Sequence, residues 1–339
     1  MAELRPTIAD VAARAGVSAA AVSFALNAKP GVGEQTRRRI LAAAAELGWQ
    51  PSARARSLST RQALALGLVA ARPPELLGAD PFFPSFIAGV ETVLWRTKQS
   101  LVLQVVPDAE TEEAAYRRLA GERRVDGVFV ADLRRDDPRI PLLGELGIPA
   151  VTLNRPGGPS PFPAVCLDDR PGIRAAVEHL AALGHTRIAH VGGPVGLLHG
   201  VSRRLAWEEA MSEAGLDARA CVEADFSAAS GAAATRTLLD LAERPTAIVY
   251  ANDLMAVAGM SVASERGLRL PYDLSVTGFD DMTLAAHVHP ALTTVTADAL
   301  EWGRTAARLL LGLVAGDRPD DVELPPGQLV LRRSTAPPL

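Results

Sequence analysis

Apolar positions follow two different rhythms along this chain. In residues 7–27, TIADVAARAGVSAAAVSFALN, Ile8, Val11, Ala12 and Ala15 fall on one helical face, and Val17, Val22 and Leu26 continue the seam beyond Gly16. Thr7 is placed to cap the first helix and Ser18 the second, while Gly16 suits the positive φ of a tight turn. The pattern predicts a helix-turn-helix whose second helix leaves its outer face for a DNA groove. An ordinary helical hairpin within a bundle fits the same residues. A third helix is expected over 34–47, striped by Ile40, Leu41, Ala44 and Leu47, ended by Gly48, with Trp49 capping the three-helix core. Ser52 can cap a short helix through Leu58 that has too few apolar residues to bury itself. That helix needs a partner, either DNA, a second copy or both, and a linker without structure is the alternative.

From Leu64 the rhythm changes to short apolar runs separated by longer amphipathic stretches. Strands are expected at 64–70, 101–106, 127–131 and 150–153, with helices near 85–97, 111–121 and 139–146. A second set has strands near 165–167, 187–191, 247–250 and 275–278 and helices near 171–183, 202–214, 231–241 and 254–265. Near-continuous apolar strands alternating with helices predict an α/β fold of two parallel-sheet, Rossmann-like lobes covered on both faces. The tail adds a strand, a helix over 299–313 and a last strand over 328–332, so the chain is expected to return to the first lobe and then the second. The organisation read from this is a head over 1–50, a hinge or linker over 51–61, a first lobe from 62–161 plus 292–321, and a second from 162–291 plus 322–339.

Charge alters this picture. The formal net charge is −4, which alone argues against a DNA binder. Residues 1–61, however, hold nine Lys and Arg against four acids, whereas the rest of the chain holds 26 against 35. A basic head with an acidic body suits a protein that grips phosphates at one end only. Cys166 and Cys221 form neither a disulfide framework nor a zinc pattern and read as packed side chains. No apolar run is long enough to span a bilayer, and MAELRPTIAD lacks the order of a signal peptide, so a cytoplasmic, nucleoid-associated protein is expected.

Ligands of open α/β sheets bind beyond the carboxyl ends of the strands. Asn154 and Arg155, Asp168 and Asp169, Gly192 to Pro194, Asn252 and Asp253, and Asp280 and Asp281 all follow expected strands. Phe82 and Phe83, expected in a loop, supply an apolar wall. Singly, each residue also fits a turn or helix cap. The chain has no GxxxxGK[ST], HExxH or GxSxG sequence, and 192–196 is no dinucleotide fingerprint. His287 and His289 lack a third ligand, so no metal, cofactor or catalytic residue is expected.

The segments TIADVAARAGVS, AVSFALN, TRRRILAAAAELGWQP and ARSL closely resemble the DNA-binding head and hinge of LacI-type transcriptional regulators. RVDGVFV, HLAALGHTRIAHVGGP, RPTAIVYANDLMAVAGM, LRLPYDLSVTGFDD and PALTTV are similar to motifs of their periplasmic-binding-protein-like effector domain, in the same order. The resemblance covers essentially the whole chain and implies a homodimer on a pseudo-palindromic operator, with a small effector between the lobes and most often repression. By position it places base contacts on Ala19, Ala20 and Phe24, and the minor-groove wedge on Leu58 beside Arg56 and Ala55. Thr7, Ser18, Ser23, Asn27 and Arg37 complete the DNA-facing set, with Arg38 and Arg39 near the phosphates. Two alanines and a phenylalanine can touch a thymine methyl but cannot make bidentate hydrogen bonds to guanine or adenine. This departs from the best-known members and shifts expected discrimination towards Phe24 and Leu58. The effector places fall on Phe82, Phe83, Asn154, Arg155, Asp168, Leu197, His199, Arg203, Phe226, Asn252 and Asp280. Aromatic walls with a rim of Asp, Asn and Arg suit a sugar, and a purine or nucleoside is the alternative.

Overall fold

The computed structural model describes residues 6–26, 30–49 and 62–339, which belong to two units, 1–64 and 65–339. In the first, α1 (Ile8–Ala15), α2 (Ala19–Leu26) and α3 (Glu34–Glu46) enclose Val11, Ala12, Ala15, Val22, Ala25, Ile40, Ala43 and Ala44. A capping box starts α1: the Thr7 hydroxyl accepts from the Asp10 backbone N–H, and the Asp10 carboxylate accepts from the Thr7 backbone N–H at 2.7 Å. These bonds hold the Asp10 carboxyl below its usual range. Gly16, at φ 61°, turns the chain, and the Ser18 hydroxyl caps α2 by accepting from the Ala21 N–H. The two helices meet at a 99° bend, within the range of helix-turn-helix units.

Two expectations need correction here. Ile8 is 36% exposed rather than part of the seam, and Ala25, not Leu26, is the fully buried residue near the end of α2. A helix turns 100° per residue, and the capping of α1 at Thr7 turns its first residue outward. Trp49 packs at the edge of the core. Asn27, Ala55, Arg56 and Leu58 lie outside the described residues.

The second unit contains two six-stranded sheets. The first is built from β1 (Ala65–Ala71), β2 (Ser100–Val106), β3 (Gly127–Val130), β4 (Ala150–Leu153), β5 (Ala164–Cys166) and β11 (Val322–Glu323), in the order β11-β5-β4-β3-β1-β2 and entirely parallel. The second is built from β6 (Ile188–Gly192), β7 (Cys221–Glu223), β8 (Ala247–Tyr250), β9 (Ser275–Asp280), β10 (Thr293–Thr296) and β12 (Leu329–Val330), in the order β12-β10-β9-β8-β6-β7, with β12 alone antiparallel. GVFV, AVTL and AIVY are buried at every position, as strands covered on both faces must be. The helices are α4 (Pro74–Ala79), α5 (Phe82–Thr97), α6 (Ala109–Gly121), α7 (Arg139–Leu146), α8 (Arg170–Ala182), α9 (Leu198–Glu213), α10 (Ala228–Leu239), α11 (Asp253–Glu265) and α12 (Ala299–Ala315). No single helix among the described residues is long and apolar enough to cross a membrane.

The lobe boundaries differ from the expected ones. β5 belongs to the first sheet, so the crossing falls after residue 166 instead of 161. β10 belongs to the second sheet and β11 to the first, so 292–296 and 322–323 exchange lobes relative to the expectation. Sheet membership is decided by backbone pairing, and three short strands carry no local mark of which neighbour they pair with. The chain therefore passes between the sheets three times, at 167–169, 297–298 and 324–328. The expected return to the first lobe and then the second holds for α12, β11 and β12.

After its second passage the chain forms α12, which lies tightly against α5. A Cβ on Gly89 would stand 2.0 Å from the Leu300 carbonyl oxygen, and one on Gly303 would stand 2.1 Å from that of Phe86. The two glycines face each other's helix and let the backbones touch. This contact seats Trp302 above β5, where its indole N–H donates to the Val165 carbonyl at 3.0 Å.

Candidate functional site

On α2, Ala19, Ala20 and Phe24 are exposed, with Phe24 at 42% although it is the largest side chain of the helix. Ser18 is exposed, Ser23 is half-buried, and Arg37 lies half-buried in the first turn of α3. Thr7 is exposed, but its hydroxyl and N–H are both engaged by Asp10. An apolar ring left in water on an otherwise small-residue face marks a contact surface.

The second unit holds a cleft between its sheets, at the carboxyl ends of the strands. It is lined by Arg72, Asp80, Phe82, Ala131, Asp132, Leu153, Asn154, Asp169, His199, Arg203, Phe226, Asn252, Asp280, Ala297 and Trp302. Arg72 follows β1, Asp132 lies just past β3, Asn154 follows β4, and Asp280 ends β9. Asp132, Asn154, Phe226 and Asp280 hold φ of 51°, 73°, 70° and 105°. Non-glycine residues adopt this left-handed region at a cost of order 1–3 kcal/mol each, so its recurrence around one cleft marks a site whose side chains are held in place by the fold.

Two ion pairs frame the cleft. The Arg72 guanidinium grips Asp132 through Nε at 2.6 Å and Nη2 at 2.7 Å, and its Nη1 donates to Asp80 at 2.7 Å. The other Asp80 oxygen accepts from the Phe82 N–H at 2.9 Å, which fixes the start of α5. On the opposite wall Arg203 donates from Nε to Asp169 at 2.7 Å and from Nη1 to the Ala251 carbonyl at 2.6 Å, with its guanidinium 3.8 Å from the Phe279 ring centroid. Arg72 holds the carboxyl of Asp132 below its usual range against the opposing effect of burial. Burial instead pushes the carboxyl of Asp280 well up, only partly offset by Arg203. A protonated Asp280 presents both a donor and an acceptor to a ligand.

His199 stacks on Phe226 with ring centroids 5.2 Å apart, and burial pushes its pKa down to about 4, so near neutral pH it carries no charge. Phe82 meets Trp302 edge-on at 5.6 Å and completes the aromatic wall. Asn252 is engaged within the fold. Its Oδ1 caps α11 by accepting from the Met255 N–H at 2.9 Å, and its Nδ2 donates to the Phe226 carbonyl at 3.0 Å.

The cleft thus gathers Phe82, Asn154, His199, Arg203, Phe226, Asn252 and Asp280, seven of the residues singled out from the sequence. Arg155 is not among them: it turns outward to Asp321 at 2.8 Å and Glu323 at 2.5 Å. Asp168 is not either, because it pairs with Arg170, and its neighbour Asp169 takes the place at the cleft. Alternation along the chain sends adjacent side chains to opposite sides, and β5 ends one residue earlier than its apolar run suggests. Phe83 and Leu197 line an adjoining chamber instead, and Phe82 and Phe83 begin α5 rather than lying in a loop. Pro84 does not stop that helix, because a first-turn residue needs no N–H partner. Arg72, Asp80, Asp132, Asp169 and Trp302 are additions that the sequence reading did not select. Arg72 and Asp132 lie at strand ends, and that position was the signal that could have found them.

One histidine of the same lobe is isolated from the cleft and titrates with folding. His190, on β6, is fully buried, stacks on Trp207 at 5.5 Å and donates from Nδ1 to the Val249 carbonyl at 2.8 Å. Burial pushes its pKa down to about 4. Below pH 6.5 the unfolded chain binds a proton that the folded chain refuses until about pH 4, so the stability contribution is complete above pH 6.5 and is lost as pH falls through that window. We expect His190→Gln to remove roughly 3 kcal/mol of the acid-side loss. Melting temperatures of both proteins between pH 7 and pH 4 measure it, and parallel curves would refute it.

The comparisons with known proteins agree with this architecture. Residues 7–52 match the model of the lacI family of bacterial regulatory proteins, and residues 177–335 match a periplasmic binding protein-like domain. The HTH-type transcriptional regulator CelR of Thermobifida fusca is 37% identical over 324 residues, covering 94% of this chain and 95% of that protein. The chain belongs to the lacI family. A solved CelR–cellobiose complex is 35% identical, covers 97% of this chain and all of its own, and superposes with a TM-score of 0.75. The transcriptional repressor PurR of Erwinia tasmaniensis is 33% identical over 336 residues, covering 97% of both proteins. The Lac repressor dimer, solved with operator and the anti-inducer ONPF, is 31% identical, covers 98% of this chain and all of its own, and has a TM-score of 0.87. This lacI-family chain is therefore a DNA-binding transcriptional regulator with a helix-turn-helix head and an α/β body of two parallel-sheet lobes.

Proposed function

We propose that this regulator is a repressor that binds its operator as a homodimer, and that a sugar in the interlobe cleft sets its operator affinity. It acts on the nucleoid in the cytoplasm and carries out no reaction of its own. The observation that carries the sugar reading is the composition of the cleft. Phe82, Phe226 and Trp302 offer apolar surface for the C–H face of a ring, and Asn154, His199 and Asp280 offer uncharged donors and acceptors for its hydroxyls. Four carboxyl groups against two guanidinium groups make the cleft a poor host for a phosphorylated ligand. A flat purine is disfavoured because His199 already stacks on Phe226. The solved relative that holds cellobiose supports the same choice, whereas PurR represents the alternative.

A ligand can act as a switch only by binding the two lobe arrangements unequally. The test is a gel shift of the full chain on its operator with and without sugars and purine bases, alongside melting temperatures with the same compounds. The expected result is that one sugar changes operator affinity and raises the melting temperature. A response confined to purine bases would replace the sugar reading, and a chain lacking residues 1–61 that still binds the operator would overturn the assignment of the head.

We assign direct base contact to Phe24, through thymine methyl groups. Phe24→Ala is expected to weaken operator binding by about ten-fold while leaving sugar binding unchanged. Unaltered operator affinity would move sequence reading elsewhere.

A further inference from the structure

Beside the cleft lies a second chamber that shares Arg72, Ala131, Asp132 and Phe226 with it. Its chemistry is different. The charged groups around it are already paired: Glu112 accepts from Arg134 at 2.7 Å and Arg139 at 2.8 Å, and Arg72 is held by Asp132 and Asp80. The remaining surface is apolar, with Leu76 on one side and Pro194 and Leu197 on the other. Both lobes contribute to it and are fastened together around it. Leu76 of the first lobe packs against the core of the second, Leu198 of the second packs against the core of the first, and the Leu198 N–H donates to the Leu133 carbonyl at 2.8 Å.

We infer that this chamber receives the second ring of a disaccharide whose first ring occupies the polar cleft. The inference rests on the sugar reading and extends it to a substrate class. A single hexose satisfies its hydroxyls in the cleft alone and leaves the chamber's apolar walls unused. A linked second ring lays its C–H face on Leu76 and Leu197, and Phe226, common to both spaces, lies beside the linkage. Arg72 borders both spaces and gives three of its five N–H groups to Asp80 and Asp132, which leaves two for oxygens of the bound sugar. Because the walls come from both lobes, a ring held there favours this lobe arrangement over any that parts Leu76 from Leu197.

Calorimetric titration of the full chain with cellobiose, maltose, lactose and sucrose, and with glucose, galactose and fructose, tests the inference. We expect one disaccharide to bind at least about ten-fold more tightly than its own monosaccharides. Leu76→Trp, which fills the chamber, should remove that advantage while leaving monosaccharide affinity within about two-fold. Leu197→Phe fills the chamber from the opposite wall and serves if melting shows Leu76→Trp unfolded. Monosaccharides binding as tightly as every disaccharide would overturn the second-ring site and leave the sugar reading intact. So would a filled chamber that weakens both classes equally or spares the disaccharide advantage. No binding by any of the seven sugars would overturn both.

Discussion

Arg203→Ala is expected to lower the free energy of unfolding by about 3–5 kcal/mol, because it leaves a buried carboxylate without its partner. Asp169 is 4% exposed and sits where the chain first passes between the sheets. Its only strong neutraliser is the Arg203 Nε–H at 2.7 Å, and the same guanidinium also satisfies the Ala251 carbonyl and covers the Phe279 ring. Lysine does not replace it, because a single ammonium cannot reach two acceptors in a plane while stacking on a ring. The deficit should shrink as pH falls, since a carboxyl stripped of its cation takes a proton more readily when folded than when unfolded. Its unfavourable effect is therefore absent at low pH and grows as pH rises through the raised pKa. Urea unfolding at pH 7 and pH 4 reads both effects, and sugar binding is expected to be lost with them. A deficit below about 1 kcal/mol at pH 7 would show that the pair is dispensable.

Gly89→Ala is expected to cost roughly 2–3 kcal/mol, a large effect for one methyl group. The new carbon would stand 2.0 Å from the Leu300 carbonyl oxygen, which is backbone and has no rotamer to yield, so α5 and α12 must separate. Separation lifts Trp302 from the Val165 carbonyl and loosens the aromatic wall, so ligand affinity falls together with stability. Gly144→Ala is the control. It lies inside α7 with nothing within 4 Å of the added carbon, and it should stabilise by up to about 1 kcal/mol through helix propensity. Equal melting temperatures for the two variants would refute the close-approach argument.

The elements themselves were legible because each has a local cause. AVTL and AIVY end where an asparagine or a small residue and a turn begin, and both strands are found at their expected bounds, 150–153 and 247–250. The capped turn at Thr7, Gly16 and Ser18 was equally plain. What local pattern does not encode is pairing at a distance. Strand β11 is two residues long, and nothing in Val322–Glu323 announces that β5 lies beside it. Arg72, Asp80 and Asp132 are separated by up to 60 residues and become one network only when β1 and β3 pair. Asp168 and Asp169 are chemically identical neighbours at a strand end, and a one-residue difference in where β5 stops decides which of them meets Arg203.

The three passages of the chain between the sheets have a consequence for how the body comes apart. A protease that severs any one of 167–169, 297–298 or 324–328 leaves two covalent links between the lobes, so a single nick cannot release either lobe. The same three strands restrict how one lobe turns against the other, because every rotation must be accommodated in all three at once. Such a joint behaves like a door on several pins: it swings about one axis and resists twisting about the others.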